Sequence, residues 1–173
     1  MRKLSIILVA LGMASLGFAQ NSIPNFDYLK YKDLGTLSSN YEYLNEVQNG
    51  LTPNQIKYLE NVVSYWDVTK SEKFDGRRGE RFNVTFKSNR GQIIAYFDRN
   101  GKVVRAKEQF RNFALPKQVG IALAKKYPNW TVIKNRYTVL YTKDGQSKKI
   151  FKVQISKDKQ KKWLKIDPSG RIS

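Results

Sequence analysis

The sequence predicts an α+β fold: a duplicated helix-plus-antiparallel-hairpin repeat forming one antiparallel sheet, with helices packed on one face. Three observations predict it. Apolar residues recur at helical spacing in two segments, each entered at a Leu/Thr-Pro step. Period-two alternation follows each of them. An Asp-x-x-Gly element in "YFDRNGKVV" (96–104) returns 69 positions later in "KIDPSGRIS" (165–173). Sliding 82–104 onto 151–173 without a gap sets Phe82 on Phe151, Val84 on Val153, Phe86 on Ile155, Ile94 on Trp163, Asp98 on Asp167 and Gly101 on Gly170.

In chain order, residues 1–19 read as a signal peptide. Arg2 and Lys3 precede the apolar run Leu4–Leu11, and the small-residue end Gly17-Phe18-Ala19 follows, which places cleavage after Ala19. The run is too short and too broken by Gly12, Ser15 and Gly17 for a membrane span, so no transmembrane segment is expected in the mature chain. Residues 20–50 form an N-terminal arm and a short helix. Ser39 and Glu42 are its expected cap pair, Tyr43, Leu44 and Val47 its apolar side, and Gly50 its end.

The repeats are expected at 51–110 and 114–173. In the first, Thr52-Pro53-Asn54-Gln55 reads as a capping box with Pro at the first helical position, and Ile56, Leu59 and Val63 follow on one face. Glu60 falls on the polar side. In the second, Pro116 starts a helix carrying Leu115, Val119, Ala122 and Leu123, and Pro128 stops it. Phe82, Val84 and Phe86 share one side of a strand; Phe151, Val153 and Ile155 share one side of another, with Lys152 and Gln154 opposite. Gly91, Asn100-Gly101, Asp144-Gly145, Lys157-Asp158 and Ser169-Gly170 sit where hairpin turns are needed.

Asp98 with Gly101, and Asp167 with Gly170, are therefore structural turns. The Asp oxygen accepts from backbone N–H groups two residues on, and Gly supplies the positive φ. A calcium loop would need oxygen ligands at alternating positions ending in Glu, which neither copy offers. No metal and no cofactor is expected.

The chain of 173 residues has 32 basic and 14 acidic residues, no His and no Cys. Removing Arg2 and Lys3 leaves 30 basic against 14 acidic, a mature charge of +16. Lacking His and Cys, the chain can build no Ser-His-Asp or Cys-His triad and no zinc site of the usual kind. Neither GxxxxGK[ST] nor GxGxxG occurs, and the acidic residues are read as scattered singly. No catalytic residue is expected, and the protein is read as a non-enzyme. Residues 143–171 hold ten basic residues against three acidic ones, so one end of the molecule is strongly positive.

The segments "ALPKQVGIALAKKYPNWTV" and "RYTVLYTKDGQSKKIFKVQISKDKQKKWLKIDPSGRI" resemble the PepSY-like, beta-lactamase-inhibitor-like (BLIP-like) group of small exported bacterial proteins. That group shares a Leu-Pro helix start, a Tyr-Pro helix end and strands closed by Asp-x-x-Gly turns. The resemblance covers about residues 51–173. It implies a periplasmic or secreted inhibitor-like module that binds protein and does no chemistry. The basic charge departs from the group and leaves the partner open.

The expected function is a non-catalytic exported protein-binding module using the face or rim of its sheet. The expected partner is an envelope or secreted protein of acidic character. The alternative is an anionic glycan, polymer or lipid headgroup bound through the basic C-terminal repeat; nucleic acid is disfavoured by export. Candidate binding residues are Lys149, Lys152, Lys161, Lys162, Trp163 and Lys165. If Phe151, Val153 and Ile155 face the helices, Lys152 points the other way, and Trp163 shares a face with Lys165. Trp163 is expected on the exposed face, the competing placement being the core.

Overall fold

The computed structural model describes residues 22–23, 38–50, 52–76 and 82–173. The expected signal peptide and most of the arm lie outside these residues. The described residues form three α-helices, a short 3-10 turn (Val68–Lys70) and one sheet. The helices are α1 (Tyr41–Val47), α2 (Asn54–Tyr65) and α3 (Lys117–Lys126). The six long strands are β2 (Phe82–Ser88), β3 (Gly91–Phe97), β4 (Val103–Arg111), β5 (Thr131–Thr142), β6 (Gly145–Lys157) and β7 (Gln160–Ile166). They lie antiparallel in chain order, and the two-residue β1 (Ser22–Ile23) runs parallel beside β2.

Each strand sends alternate residues inward. Val84 and Phe86 on β2, Ile93, Ala95 and Phe97 on β3, Ala106 and Phe110 on β4, Tyr137, Val139 and Tyr141 on β5, Phe151, Val153 and Ile155 on β6, and Leu164 and Ile166 on β7 join one core. Tyr43 and Val47 of α1, Ile56, Leu59 and Val63 of α2, and Val119 and Leu123 of α3 close it from above. Among the described residues no helix packs on the opposite face, which is exposed over β5–β7, while Thr85 on β2 is buried there.

Both expected helix caps are corrected. Thr52 Oγ1 turns back to accept from Asn49 N (3.2 Å), so no capping box forms and the Pro53 carbonyl opens α2 by accepting from Ile56 and Lys57 N–H. Residue 39 does not cap α1 either: Asn40 occupies that position, and its Oδ1 accepts from Val103 N (2.7 Å), tying the helix start to β4. In both places a tertiary or turn partner outcompetes the local cap.

The duplication is not carried through. The 69-residue register maps β2 onto the second half of β6 and β3 onto β7. Phe82 thus lies in the first strand after its helix and Phe151 in the second after its own, because β5 has no counterpart among the described residues. What recurs is the hairpin with its closing turn. Asp98 Oδ1 accepts from Asn100 N and Lys102 N, and Asp167 Oδ1 from Ser169 N and Arg171 N; Gly101 and Gly170 have φ of 74° and 91°.

A Cβ at Gly101 would also stand 2.8 Å from Thr69 Cγ2. Gly101→Ala is expected to lower stability by about 1–2 kcal/mol, read as a urea midpoint, and to leave binding unchanged.

Candidate functional site

The open face is built by residues whose strand neighbours are core. Arg111 follows Phe110, Arg136 precedes Tyr137, Lys152 lies between Phe151 and Val153, and Lys165 between Leu164 and Ile166. Burying one set forces the other outward. Strand register then aligns these four in one row: Arg111 opposite Arg136, Arg136 opposite Lys152, and Lys152 opposite Lys165. Like charges directly opposite each other in a sheet are destabilising. Among the described residues none of the four is in an ion pair.

Clefts open on both sides of this cationic rung. One, of about 360 Å³, is lined by residues including Lys87, Gln92, Gln109, Arg111 and Arg136. The other, of about 310 Å³, is lined by Arg136, Lys152, Trp163, Leu164 and Lys165. Among the described residues neither lining contains an acidic side chain. Trp163 is 56% exposed and lies opposite Gln154, beside the rung. A flat aromatic among uncompensated cations can hold an anionic ligand and desolvate it at the same time.

The six sequence candidates divide between the two sides of the sheet. Lys152, Lys161, Trp163 and Lys165 share the open face. Lys149 pairs with Val139 on the core side, where its Nζ donates to the Glu46 carbonyl (2.7 Å) and helps hold α1 on β6. Lys162 lies opposite Ile155 and sets its ammonium 5.1 Å from the Trp130 ring centroid. Neither reaches the rung. Arg111 and Arg136 were not among the candidates, because only the pairing of β4, β5 and β6 brings them into line.

A second polar cluster lies on the core side. Glu60 on α2 and Glu108 on β4 are both fully buried, and Tyr43 Oη on α1 donates to Glu108 Oε1 (2.7 Å). The placement of Glu60 on a polar helix side, and the reading of all acidic residues as isolated, are thereby corrected. Burial raises the Glu108 carboxyl well above the usual range, and the neighbouring Glu60 raises it further. Burial also lifts Glu60, to about 7. With no solvent access to either carboxyl, the pair offers no surface to a ligand; Tyr43 ties α1 to β4 through Glu108, while among the described residues both Glu60 oxygens and Glu108 Oε2 are buried without a hydrogen-bond partner.

No family model matches the chain, and no curated protein matches it. Solved structures similar to it include a DUF2874 family protein from Bacteroides uniformis (21% identity, 52% of this chain and 65% of the other, TM-score 0.32). A BLIP-like protein from Bacteroides fragilis aligns at 20% identity over 56% of this chain and 67% of that one, with a TM-score of 0.32. A DUF2874 family protein from Bacteroides ovatus aligns at 18% identity over 61% of this chain and 75% of the other, with a TM-score of 0.33. The BLIP-like group is the one that residues 51–173 resemble in sequence. The chain spans about 65% of the first of these relatives, and at such identity and overlap nothing about partners passes from them. Among the described residues no helix is long and apolar enough to cross a membrane.

Proposed function

We propose that this chain is a non-catalytic exported binding module that captures an acidic envelope or secreted protein on the open face of its sheet. The observation that carries this reading is the rung Arg111–Arg136–Lys152–Lys165. Four adjacent like charges cost the isolated fold stability, and a partner bearing carboxylates removes that cost while Trp163 supplies apolar contact area. The signal-peptide pattern at residues 1–19 supports an encounter outside the cytoplasm.

The test is capture of acidic proteins from an envelope extract, at low and high salt, by the wild type and by Arg136→Gln/Lys152→Gln/Lys165→Gln. The variant is expected to fold normally and to lose capture about tenfold or more at low salt, because each cation contributes to electrostatic steering and desolvated pairing. Unchanged capture would move the interface off this face.

The second reading, an anionic glycan or lipid headgroup, is favoured by one observation: the cleft between Lys152, Lys165 and Trp163 has the size and polarity for a single charged sugar or phosphate. Binding of the wild type to anionic vesicles or to a sulfated polysaccharide, lost in the same triple variant, would favour it over a protein partner.

A further inference from the structure

The rung ends at β7, whose backbone beside Lys161 and Trp163 is oriented to take a further strand. On the outer side of β7, Ser173 N donates to the Lys165 carbonyl (3.0 Å) and Asp167 N donates to the Arg171 carbonyl (3.0 Å). The Lys165 C=O and the Asp167 N–H therefore point away from β6. Peptide groups alternate sides along a strand, so the N–H and C=O of Trp163 and Lys161 point outward as well. Among the described residues, the sole bridge on this side is Ile166 to Ile172, which leaves Lys161 and Trp163 without a backbone partner. The same residues carry exposed side chains on the open face.

We propose that β7 is a strand-addition site for an extended acidic segment of the partner, a proposal that rests on the reading of the open face as the binding surface. An added strand hydrogen-bonds to the outward groups of Lys161 and Trp163 and sets its own alternate side chains beside these two residues. An apolar side chain packs on Trp163 and a carboxylate meets Lys161; the place beside Lys165 is taken by Ser173, so the added strand stops short of the rung. The pattern is an acidic residue two positions from an apolar one, so a probe with an acidic residue on either side of a central aromatic serves both strand directions. A second copy of this chain is excluded by the same geometry, because edge-to-edge pairing of β7 with itself brings lysines against lysines and the whole molecule carries a large positive charge.

The probe is a blocked peptide with Glu-Val-Phe-Val-Glu at its centre, titrated into the full mature chain by calorimetry. Two derivatives carry backbone N-methyl groups on one or the other alternate set of residues, with charge and side chains unchanged. The unmodified peptide and one derivative are expected to bind, and the other derivative to bind about tenfold or more weakly, because only one set of peptide N–H groups meets β7.

Lys161→Pro removes one outward N–H without touching the β6 ladder, and is expected to weaken binding beyond Lys161→Gln. Equal binding of all three peptides, or no binding by any, overturns strand addition. Partner capture that persists in either case, and is still lost in the rung triple variant, leaves the open-face reading standing.

Discussion

Unfolding is expected to become easier by at least about 3 kcal/mol between about pH 4.5 and pH 7.5, a fall of roughly 10 °C in Tm for a domain of this size. The cause is the Glu60–Glu108 pair. Both carboxyls titrate in the folded state above their usual range, first because burial disfavours the charged form and, for Glu108, also because Glu60 is beside it. A carboxyl whose folded value is raised adds its full stability below its unfolded value. That stability is lost as pH climbs through the folded value, about 7 for Glu60.

The surroundings do not reverse the sign. Tyr43 donates to Glu108 and is itself held well above its ordinary value by burial and by the two glutamates, so it stays protonated across the window. Lys149 and Lys57 favour the charged form of Glu60, but more weakly than burial opposes it. The chain has no His to titrate over the same range. Glu60→Gln/Glu108→Gln is therefore expected to flatten the profile, because two amides can satisfy each other and Tyr43 at every pH. A wild-type Tm that does not move between these pH values would dismiss the raised titration of the Glu60–Glu108 pair.

How much of this was legible in the sequence differs from element to element. The period-two runs at Phe82–Phe86 and Phe151–Ile155, and the stripes Ile56–Leu59–Val63 and Val119–Leu123, reveal a helix layer over a sheet because burial repeats with the geometry of the chain. Asp98 and Asp167 reveal their turns because every hydrogen bond in them is local. The exposure of Trp163 follows from alternation with Leu164 and Ile166 once those are core. The rung does not follow. Arg111 and Arg136 are 25 positions apart, and their juxtaposition depends on the register of β4 against β5, which alternation leaves undetermined. The Glu60–Glu108 contact is hidden for the same reason, since a glutamate on a helix reads as solvated until a distant strand supplies its partner.

Gly91→Ala is expected to cost about 3 kcal/mol, and Gly120→Ala to add about 0.5–1 kcal/mol, so that one chemical change acts with opposite signs at two sites. Gly91 stands at the head of a hairpin, which suggests a turn residue, yet its φ is outside the left-handed region and backbone freedom does not explain it. Its requirement is space. A Cβ there would come within 2.6 Å of Phe110 Cδ1 and 2.8 Å of Phe110 Cα, on the strand paired with it. Phe110 is buried, and its Cα belongs to the β3–β4 ladder, so relief would need either a rotamer change in the core or a broken strand pair. Gly91 also lines the cleft beside Arg111 and Arg136, so the variant should disturb that end of the rung as well. Gly120 lies inside α3, and a Cβ added there would meet nothing within 4 Å, so alanine only removes unfolded-state freedom. Urea midpoints for the two variants decide the matter: a Gly91→Ala protein as stable as the wild type would mean that Phe110 does not occupy the space above Gly91.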